Sequence, residues 1–496
     1  MILTYQTRLV LSQEQEHILQ EYAALLSSVQ HKLYAEVAKG RKPAACKNEF
    51  LKKFDITARQ FNSCRASLDG KIAACQAGQE RAIITLTQQI KDLNSKIKLL
   101  ERKPSKQFTL HQKKRRLSIL EQRLAKRKED LEQKRTRLCF GGKKLFSAQF
   151  YLDKNGFKSH LEWKKAWQAQ RTSEFLLLGS KDETSGNQSC TAGWQPDGKL
   201  SLRLRLPNHL EARNGKYLRF ENLFFAYGHK EILAALNNPK GQALTYRFKK
   251  DSKGWRVFVS VAMHKEKQNF PKGNGAIGLD LNVDHIAYVE TDRFGNPIDK
   301  KTFAWHAYGK TNRQLKALTG NLCKEIINLA AVAKKPIVIE KLDFQKKKLA
   351  LKDSYKPSFA RLLSSFAYGL FFSSLMARAF KLGCSIYQVN PAFTSTIGQV
   401  NYATRYGLSI HLAAALSVAR RYLNFSEAPI SSASKIPSGK GNHVAFILPV
   451  RNRTKHVWFF WGQVRKKLRT VHAAHNLARN RSKSPLKTDF CDSNSS

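Results

Sequence analysis

The chain has 496 residues, 42% of them hydrophobic, which is enough apolar sequence for roughly two to four packed modules. Its 87 Lys and Arg residues outnumber 37 Asp and Glu residues, and the formal net charge of +50 indicates a polyanionic partner, above all nucleic acid. A membrane partner is not expected, because no apolar run reaches about 18 residues and the first residues lack the apolar segment of a signal peptide.

The first predicted elements are a short strand within 1–11 and a helix that begins after Ser12. Two heptad arms follow between about 78 and 138. The first arm carries apolar residues at 86, 90, 93, 97 and 100, and the second repeats leucine at 117, 124, 131 and 138. The break at KPSKQFTLHQ between the arms predicts an antiparallel helical hairpin within a helical lobe over 12–145.

The outer faces of this hairpin are strongly basic. Four consecutive cations stand in the second arm, namely Lys113, Lys114, Arg115 and Arg116. One interpretation is a solvated structural arm with no ligand. With a net charge of +50 on the whole chain, we favour a surface that contacts the nucleic-acid backbone.

The pattern changes to strands over 146–268. KLSLRLRLP (199–207) alternates leucine with polar residues after a Pro-Asp-Gly turn, and ALTYRFKKDSKGWRVFVSVAM (243–263) has the pattern of a second hairpin. These antiparallel strands predict a small barrel or sheet module. EKQNFPKGNG (266–275) has the composition of a linker, and an α/β region follows over 275–425.

Two acidic residues stand in apolar strands of the α/β region. Asp280 interrupts GAIGLDLNV, and Glu340 ends the short strand within KKPIVIEKLDF. A third segment, 384–421, runs from a strand through an Asn-Pro turn and a Thr-Ser loop into the helix GLSIHLAAALSVARR. Each acid taken alone also fits a hydrogen-bonding residue at the end of a strand. Burying a carboxylate is costly unless the group is paired or binds a metal.

Two strand carboxylates and a ligand on a later helix are the arrangement that an RNase H-like nuclease needs. There the carboxylates hold two divalent ions about 4 Å apart, one activating water and the other stabilising the leaving oxygen of the phosphodiester. Oxygen ligands of this kind suit Mg²⁺ or Mn²⁺. The predicted fold class is therefore a multidomain α+β protein with a helical lobe, a β-barrel-like module and an α/β RNase H-like domain.

Three short motifs resemble the split RuvC motifs of the TnpB family. They are GLD at 278–280, IEKLD at 339–343 and NPAFTS at 390–395, the last including Asn390, Pro391, Thr394 and Ser395. TnpB proteins are encoded by transposons of the IS200/IS605 type and are related to type V CRISPR effectors. The resemblance is most specific over 275–425, and it extends more loosely to the order of the modules.

The resemblance implies an RNA-guided, metal-dependent DNA endonuclease whose partners are a guide RNA and target double-stranded DNA. It assigns Asp280 and Glu340 as catalytic acids that bind Mg²⁺ or Mn²⁺. It also implies that 1–11 is the first strand of a wedge module completed by 146–268, that 12–145 is the recognition lobe, and that 275–425 is the RuvC-like domain. A prokaryotic cytoplasmic protein, nucleoid-associated when bound, is expected.

The sequence departs from the TnpB pattern at two places. The family carries a CxxC…CxxC zinc ribbon after the Thr-Ser pair, whereas this chain has TIGQVNYATRYGLS there and its eight cysteines form no CxxC anywhere. We therefore predict no zinc. The family also opens its last helix with a third acid, and aligning Ala414 and Ala415 on the family's Ala-Ala pair puts His411 at that position.

His411 admits three interpretations. It takes part in the chemistry as a third catalytic residue, since imidazole ligates metals and moves protons. Alternatively, cleavage is lost and the chain is an inactive RNA-guided DNA-binding protein, a repressor or targeting factor. In the third interpretation His411 is a satisfied structural residue. Retention of both acids favours cleavage, and a purely structural RNA-binding protein is disfavoured by the order of the motifs.

Three arginines near the same helix are candidate phosphate ligands: Arg405, Arg420 and Arg421. The last two equally fit ordinary charges at a helix C-terminus, where the dipole stabilises them. Beyond the helix, 426–496 is a basic, serine-rich region without an assigned structure, and its tail is expected to be disordered.

Overall fold

The computed structural model describes residues 1–102, 104–238, 241–263, 270–282, 284–306, 309–341, 365–439 and 442–481. The chain divides into two compact units, Met1–His264 and Lys265–Ser496. Helices and several sheets occur together in both units, in agreement with the predicted α+β class. No helix in the described ranges is long and apolar enough to cross a membrane.

The first unit contains eight of the described α-helices: α1 (Gln13–Ala38), α2 (Lys47–Phe54), α3 (Ala58–Glu101), α4 (Gln107–Glu132), α5 (Lys143–Ala148), α6 (His160–Arg171), α7 (Asn208–Asn214) and α8 (His229–Leu236). Ser12 caps α1 as predicted, in a capping box with Gln15. Short 3-10 turns lie at Pro43–Cys46, Pro104–Lys106, Asp153–Asn155 and Thr184–Gly186.

The predicted hairpin is α3 and α4, and two contacts establish its antiparallel direction. Lys114 Nζ lies 3.0 Å from Glu101 near the turn, and the Gln79 amide donates to the Arg135 carbonyl at the other end. The seam between the arms includes Leu86, Ile90, Leu93, Ile97 and Leu117 of the predicted heptads. In the second arm the buried residue is Leu120, which lies outside the predicted repeat. The range predicted for the hairpin, about 78–138, starts after the first residue of α3 and extends past the last residue of α4. Helix α3 begins at residue 58, and Leu138 lies beyond α4 against the core of the first unit.

Seven strands form two antiparallel sheets in the first unit. They are β1 (Ile2–Arg8), β2 (Glu174–Leu177), β3 (Cys190–Trp194), β4 (Leu200–Arg205), β5 (Tyr217–Leu223), β6 (Leu244–Asp251) and β7 (Gly254–Ala262). Their orders are β1-β7-β6-β2 and β3-β4-β5. The alternating leucines of β4 face inward, where both sheets, α1 and the start of α3 share one hydrophobic core.

The second unit is built on a five-stranded mixed sheet. Its strands are β8 (Ile277–Leu281), β9 (His285–Thr291), β10 (Pro297–Ala304), β11 (Ile337–Glu340) and β12 (Ile386–Val389), in the order β10-β9-β8-β11-β12. β8, β11 and β12 are parallel, whereas β9 and β10 are antiparallel to their neighbours. A 3-10 turn at Lys272–Asn274 precedes the sheet.

Helices cover both faces of this sheet. They are α9 (Asn312–Ala333), α10 (Ser365–Lys381), α11 (Thr394–Ile397), α12 (Ile410–Tyr422) and α13 (Val457–Arg481). Helices α9 and α10 pack on one face through a core that includes Ile326, Phe371 and Leu375. Helix α12 covers the other face.

The C-terminal region is more ordered than the sequence suggested. Strands β13 (Ala433–Gly439) and β14 (Asn442–Ile447) form a hairpin, and α13 packs Trp461 and Val464 into the same core as α12. The predicted disordered tail at 482–496 lies outside the described residues. Six of the described cysteines are free thiols: Cys46, Cys64, Cys75, Cys139, Cys190 and Cys323.

Candidate active site

Side chains along a strand point alternately to the two faces of a sheet, and this alternation places Asp280 and Glu340 on the same face. Leu279 pairs with Ile339, and both side chains belong to the core under α9 and α10. The next residue of each strand therefore points to the opposite face, towards α12. Asp280 and Glu340 thus follow paired residues at the carboxyl ends of adjacent strands.

Gly278 allows α12 to lie directly on β8. A Cβ atom at Gly278 would stand 2.0 Å from the carbonyl oxygen of Ala415 and 3.0 Å from the backbone nitrogen of Ala419. Only glycine permits so close an approach. His411 lies one turn before Ala415, and Asp280 lies two residues after Gly278 on the same strand face. The glycine contact therefore sets the separation between these two side chains.

His411 and Asp280 are hydrogen-bonded. The imidazole Nδ1 donates to Asp280 Oδ2 over 3.2 Å. The Asp280 side chain is 11% exposed, whereas that of His411 is 48% exposed. This hydrogen bond raises the pKa of His411, against the opposing effect of partial burial. The carboxylate therefore stabilises the imidazolium, and the pair carries less negative charge than the two carboxylates expected from the family pattern.

A second histidine lies beside this pair, and sequence reasoning missed it. The His285 ring is 4.7 Å from that of His411, nearly perpendicular to it. His285 Nδ1 lies 2.7 Å from Asp284 Oδ1, and Nε2 lies 3.3 Å from the Asn282 amide. That amide donates to Asp280 Oδ2 over 3.0 Å. A continuous chain of hydrogen bonds thus joins exposed Asp284 to buried Asp280.

The hydrogen bonds and charges of this group also shift the pKa values of Asp284 and Tyr368. The hydrogen bond with His285 lowers the pKa of Asp284, and the neighbouring His306 acts in the same direction. Burial, together with the negative charges of Asp280 and Asp284, raises the pKa of Tyr368 to about 12. Tyr368 therefore remains a neutral phenol near the acids. The signal available in the sequence was the dense polar run DLNVDH after an apolar strand.

Glu340 is held by the Asn-Pro motif. Thr394 Oγ1 donates a hydrogen bond to Glu340 Oε1, and Thr394 itself is buried. The Asn390 side-chain oxygen accepts from the backbone nitrogen of Ala392 over 2.9 Å, which shapes the turn at Pro391. Ser395 is exposed. The predicted Thr-Ser loop was wrong in one respect, because Thr394 begins α11 and the turn ends before it.

The segment that stands in place of a zinc ribbon is helical. Helix α11 continues into a π-helix at Gly398–Ala403, whose residues are buried. A Cβ atom at Gly398 would lie 2.4 Å from the Ala413 carbonyl oxygen, so this segment also packs tightly on α12. Val400 and Tyr402 of this segment are buried in the same core as α12. The absence of zinc remains a prediction.

The three arginines near α12 have different surroundings. Arg420 donates to the Gly295 carbonyl over 2.7 Å and to the Tyr402 hydroxyl over 3.0 Å. Arg421 donates to the carbonyls of Asn390 and Ala392, and it pairs with Glu427. Both therefore tie α12 to neighbouring loops. Arg405 is exposed, and its guanidinium lies over the Tyr406 ring.

The basic run of the hairpin lies on α4. Lys113 is half-buried, Lys114 pairs with Glu101, and Arg115 and Arg116 are exposed. These four residues belong to the first unit and are not part of the Asp280 group. Their predicted contact with nucleic acid remains a prediction.

The donor atoms near Asp280 suit a hard divalent cation. Asp280 and Glu340 offer carboxylate oxygens at the same edge of the sheet, and such oxygens are the ligands that Mg²⁺ and Mn²⁺ prefer. Asp280 Oδ2 already accepts from His411 and Asn282, which leaves Oδ1 for an ion. Within the described ranges, no group of three or more His, Cys, Asp and Glu side chains is arranged to hold a metal.

No protein-family model matches the chain, and no curated protein matches its sequence. Two structures of RuvC from Thermus thermophilus align at 13% identity. One is in complex with a Holliday junction substrate, has a TM-score of 0.22, and covers 29% of this chain and 88% of that chain. The other has a TM-score of 0.21 and covers 29% and 90%. A CRISPR-Cas12f ternary complex aligns at 10% identity with a TM-score of 0.20, covering 84% and 98%. TM-scores this low carry no functional argument, so the case for a function comes from this chain's own geometry.

Proposed function

We propose that this protein is an RNA-guided, metal-dependent DNA endonuclease of the TnpB type. The observation that carries the proposal is the placement of Asp280 and Glu340 at the ends of adjacent parallel strands, beneath the helix that brings His411 to Asp280. The strand order β10-β9-β8-β11-β12 supports the RNase H-like domain expected from the sequence. The formal net charge of +50 supports nucleic acid as the partner.

Each residue of the candidate active site has a distinct proposed role. Asp280 and Glu340 would hold Mg²⁺ or Mn²⁺, which when bound activates water and offsets charge at the scissile phosphate. Thr394 orients Glu340, and Asn282 and His411 orient Asp280 through hydrogen bonds. A protonated His411 also presents a positive group at the same sheet edge, where a phosphodiester would lie. Guide RNA, target double-stranded DNA and the adjacent motif follow from the family resemblance.

A second candidate function is RNA-guided DNA binding without cleavage. The hydrogen bonds of Asp280 favour this function. Its Oδ2 atom accepts from His411 and Asn282, and the pKa of the His411 imidazole is raised. A cationic residue beside the first acid competes with a metal ion for the same carboxylate. Such a protein would act as a repressor or targeting factor.

One experiment separates these functions. The protein is co-expressed with the DNA that flanks its gene, the bound RNA is sequenced, and matched target DNA is incubated with Mg²⁺ or Mn²⁺. We expect cleavage that disappears in Asp280→Ala and Glu340→Ala and persists in Asp299→Asn, an acid on β10 whose side chain is 43% exposed. RNA-dependent binding with no cleavage in either metal would establish the second function instead.

His411→Ala distinguishes the interpretations of the histidine. Loss of cleavage with unchanged DNA binding assigns His411 to the active site. Unchanged cleavage makes the histidine structural. His411→Asp tests the family pattern directly, since it restores a carboxylate at the position of the third acid. Faster cleavage in that variant would show that the histidine weakens a functional site.

A further inference from the structure

A cleft in the first unit combines aromatic rings with cationic side chains. It has a volume of about 1490 Å³ and lies between the base of the α3–α4 hairpin, the α5–α6 segment and strands β2 and β6. We name it the aromatic–basic cleft and define it by Lys71, Arg127, Arg137, Phe140, Phe146 and Trp167. It exceeds the roughly 300–1,000 Å³ of small-molecule pockets, so it is large enough for part of a polymer.

The charge of the lining is strongly one-sided. Seven Lys and Arg residues line the aromatic–basic cleft, against one carboxylate, Glu174. Glu174 is engaged with Lys249 over 3.5 Å. Arg127 and Lys143 have no carboxylate partner within the described part of the chain. An excess of unneutralised cations around a concave surface favours a polyanion.

Aromatic rings on one wall are already ordered for stacking. The Trp167 and Trp163 rings of α6 are stacked with centroids 5.9 Å apart, and Phe146 of α5 packs at 5.5 Å from Trp167. Gly141 packs against the Trp167 ring, where a Cβ atom would come within 3.0 Å of it. Phe146 nevertheless keeps 43% of its surface exposed, and Trp167 is half-buried.

The aromatic–basic cleft continues along the hairpin. A second cleft of about 710 Å³ between α3 and α4 is lined by Arg81, Arg123 and Lys126, and it shares Arg127 and Arg137 with the first. Its one carboxylate, Asp130, pairs with Arg137 over 3.2 Å. The two clefts together form a basic groove that ends at the rings of Phe146 and Trp167.

We infer that this groove binds single-stranded nucleic acid, with phosphates along the hairpin and an unstacked base against Phe146 and Trp167. A base and an aromatic ring stack face to face, whereas the bases of a duplex are already stacked on one another. RNA and DNA single strands share this chemistry. The inference rests on the proposed function only in taking nucleic acid as the partner, and it does not require cleavage.

The test measures binding of the full-length protein in EDTA, where metal-dependent cleavage cannot interfere. The probes are fluorescein-labelled oligo(U) RNA, oligo(dT) DNA of equal length, and a duplex of that length. Phe146→Ala should weaken single-strand binding about 5- to 100-fold and change duplex binding less than twofold. Phe108→Ala is the matched control, since Phe108 is 75% exposed and lines neither cleft.

Two neighbouring lysines provide a test of the phosphate contacts that does not depend on the aromatic rings. Lys143 lines the aromatic–basic cleft, whereas its neighbour Lys144 is exposed outside it. Lys143→Ala should reduce the slope of log Kd against log salt by about 0.7 for a single strand, and Lys144→Ala should leave it unchanged. This pair keeps the proposal testable if Phe146→Ala does not fold.

Crosslinking of the wild-type protein to 5-iodouridine-substituted strands locates the contact. Peptides that contain Phe146 or Trp167 should carry the crosslinked nucleotide. The strand that binds with the lower Kd, RNA or DNA, identifies the class of nucleic acid that the groove binds. Equal losses in Phe146→Ala and Phe108→Ala, equal losses for strands and duplex, or crosslinks only outside the groove would overturn the inference.

Discussion

The contact of Gly278 with α12 predicts how the candidate active site responds to one added methyl group. In Gly278→Ala the new Cβ would stand 2.0 Å from the Ala415 carbonyl oxygen, although real Cβ atoms essentially never approach within 3.0 Å. Helix α12 must therefore retreat from β8 by about 1 Å. The atom in the way is backbone, so no side-chain rotation relieves the clash.

The retreat has two measurable consequences. Overpacking of a core costs typically about 1–3 kcal/mol, which for a unit of this size lowers Tm by roughly 2–12 °C. His411 moves with α12, so its 3.2 Å hydrogen bond to Asp280 lengthens to about 4 Å, outside hydrogen-bonding range. A displacement of about 1 Å near reacting groups lowers cleavage on the order of 100-fold.

The assays are thermal unfolding, DNA cleavage and an NMR titration of the His411 ring, assigned with His411→Gln. Loss of the hydrogen bond should return the raised pKa of His411 towards its ordinary value. The matched control is Gly369→Ala on α10, where a Cβ atom meets nothing within 4 Å. That change should stabilise the helix by about 0.4–1 kcal/mol. A Gly278→Ala protein with wild-type Tm and an unchanged His411 titration would refute the reasoning.

Three further predictions concern the surroundings of the site and the stability of the two units. Asp284→Asn or His285→Ala breaks the hydrogen-bond chain to Asp280, so cleavage should slow roughly 10- to 100-fold. In Asp284→Asn the Tm should stay within about 1 °C, since the Asp284 side chain is 63% exposed. An equal loss of cleavage in Asp299→Asn would contradict this. Lys335→Met removes the cationic partner of Glu290, whose carboxylate lies 2.6 Å from Lys335 Nζ in a pair only 9% and 16% exposed. The loss should lower the free energy of unfolding in urea by about 3 kcal/mol. Lys335→Met combined with Glu290→Leu should recover most of that loss, and no recovery would argue against a charge effect. Burial and the charges of Arg171 and Lys71 lower the pKa of His31 to about 4, so the unfolded chain binds the proton first and the free energy of unfolding should fall as pH drops from about 6.5 towards 4. His31→Gln should lack this part of the pH dependence, and parallel curves for the two proteins would refute it.

Periodic features of the sequence predicted several elements correctly. The heptads led to the α3–α4 hairpin, the alternating leucines led to β4, and Ser12 marked the start of α1. These predictions succeed because a helix and a strand repeat over a few residues, so their apolar faces are visible in a short window. The acids Asp280 and Glu340 were recognisable for the converse reason, as charges interrupting apolar strands.

The sequence was less informative where packing, and not local pattern, decides the structure. The start of α3 at residue 58 and the strands β13 and β14 were missed, as was the π-helix at Gly398–Ala403. In these segments polar and small residues weaken any periodic signal. Their conformation depends on contacts with distant residues, such as that of Gly398 with Ala413.

By itself the sequence determined the basic charge of the protein, its α+β composition and the two acids on apolar strands, because composition and short-range periodicity carry that information. Only the tertiary structure decided that His411 is hydrogen-bonded to Asp280 and that His285 and Asp284 extend the same network. It also brought Arg127, Phe146 and Trp167 to one cleft. Such groupings depend on how separate elements pack, and a close contact like that of Gly278 with Ala415 has no counterpart in the local sequence.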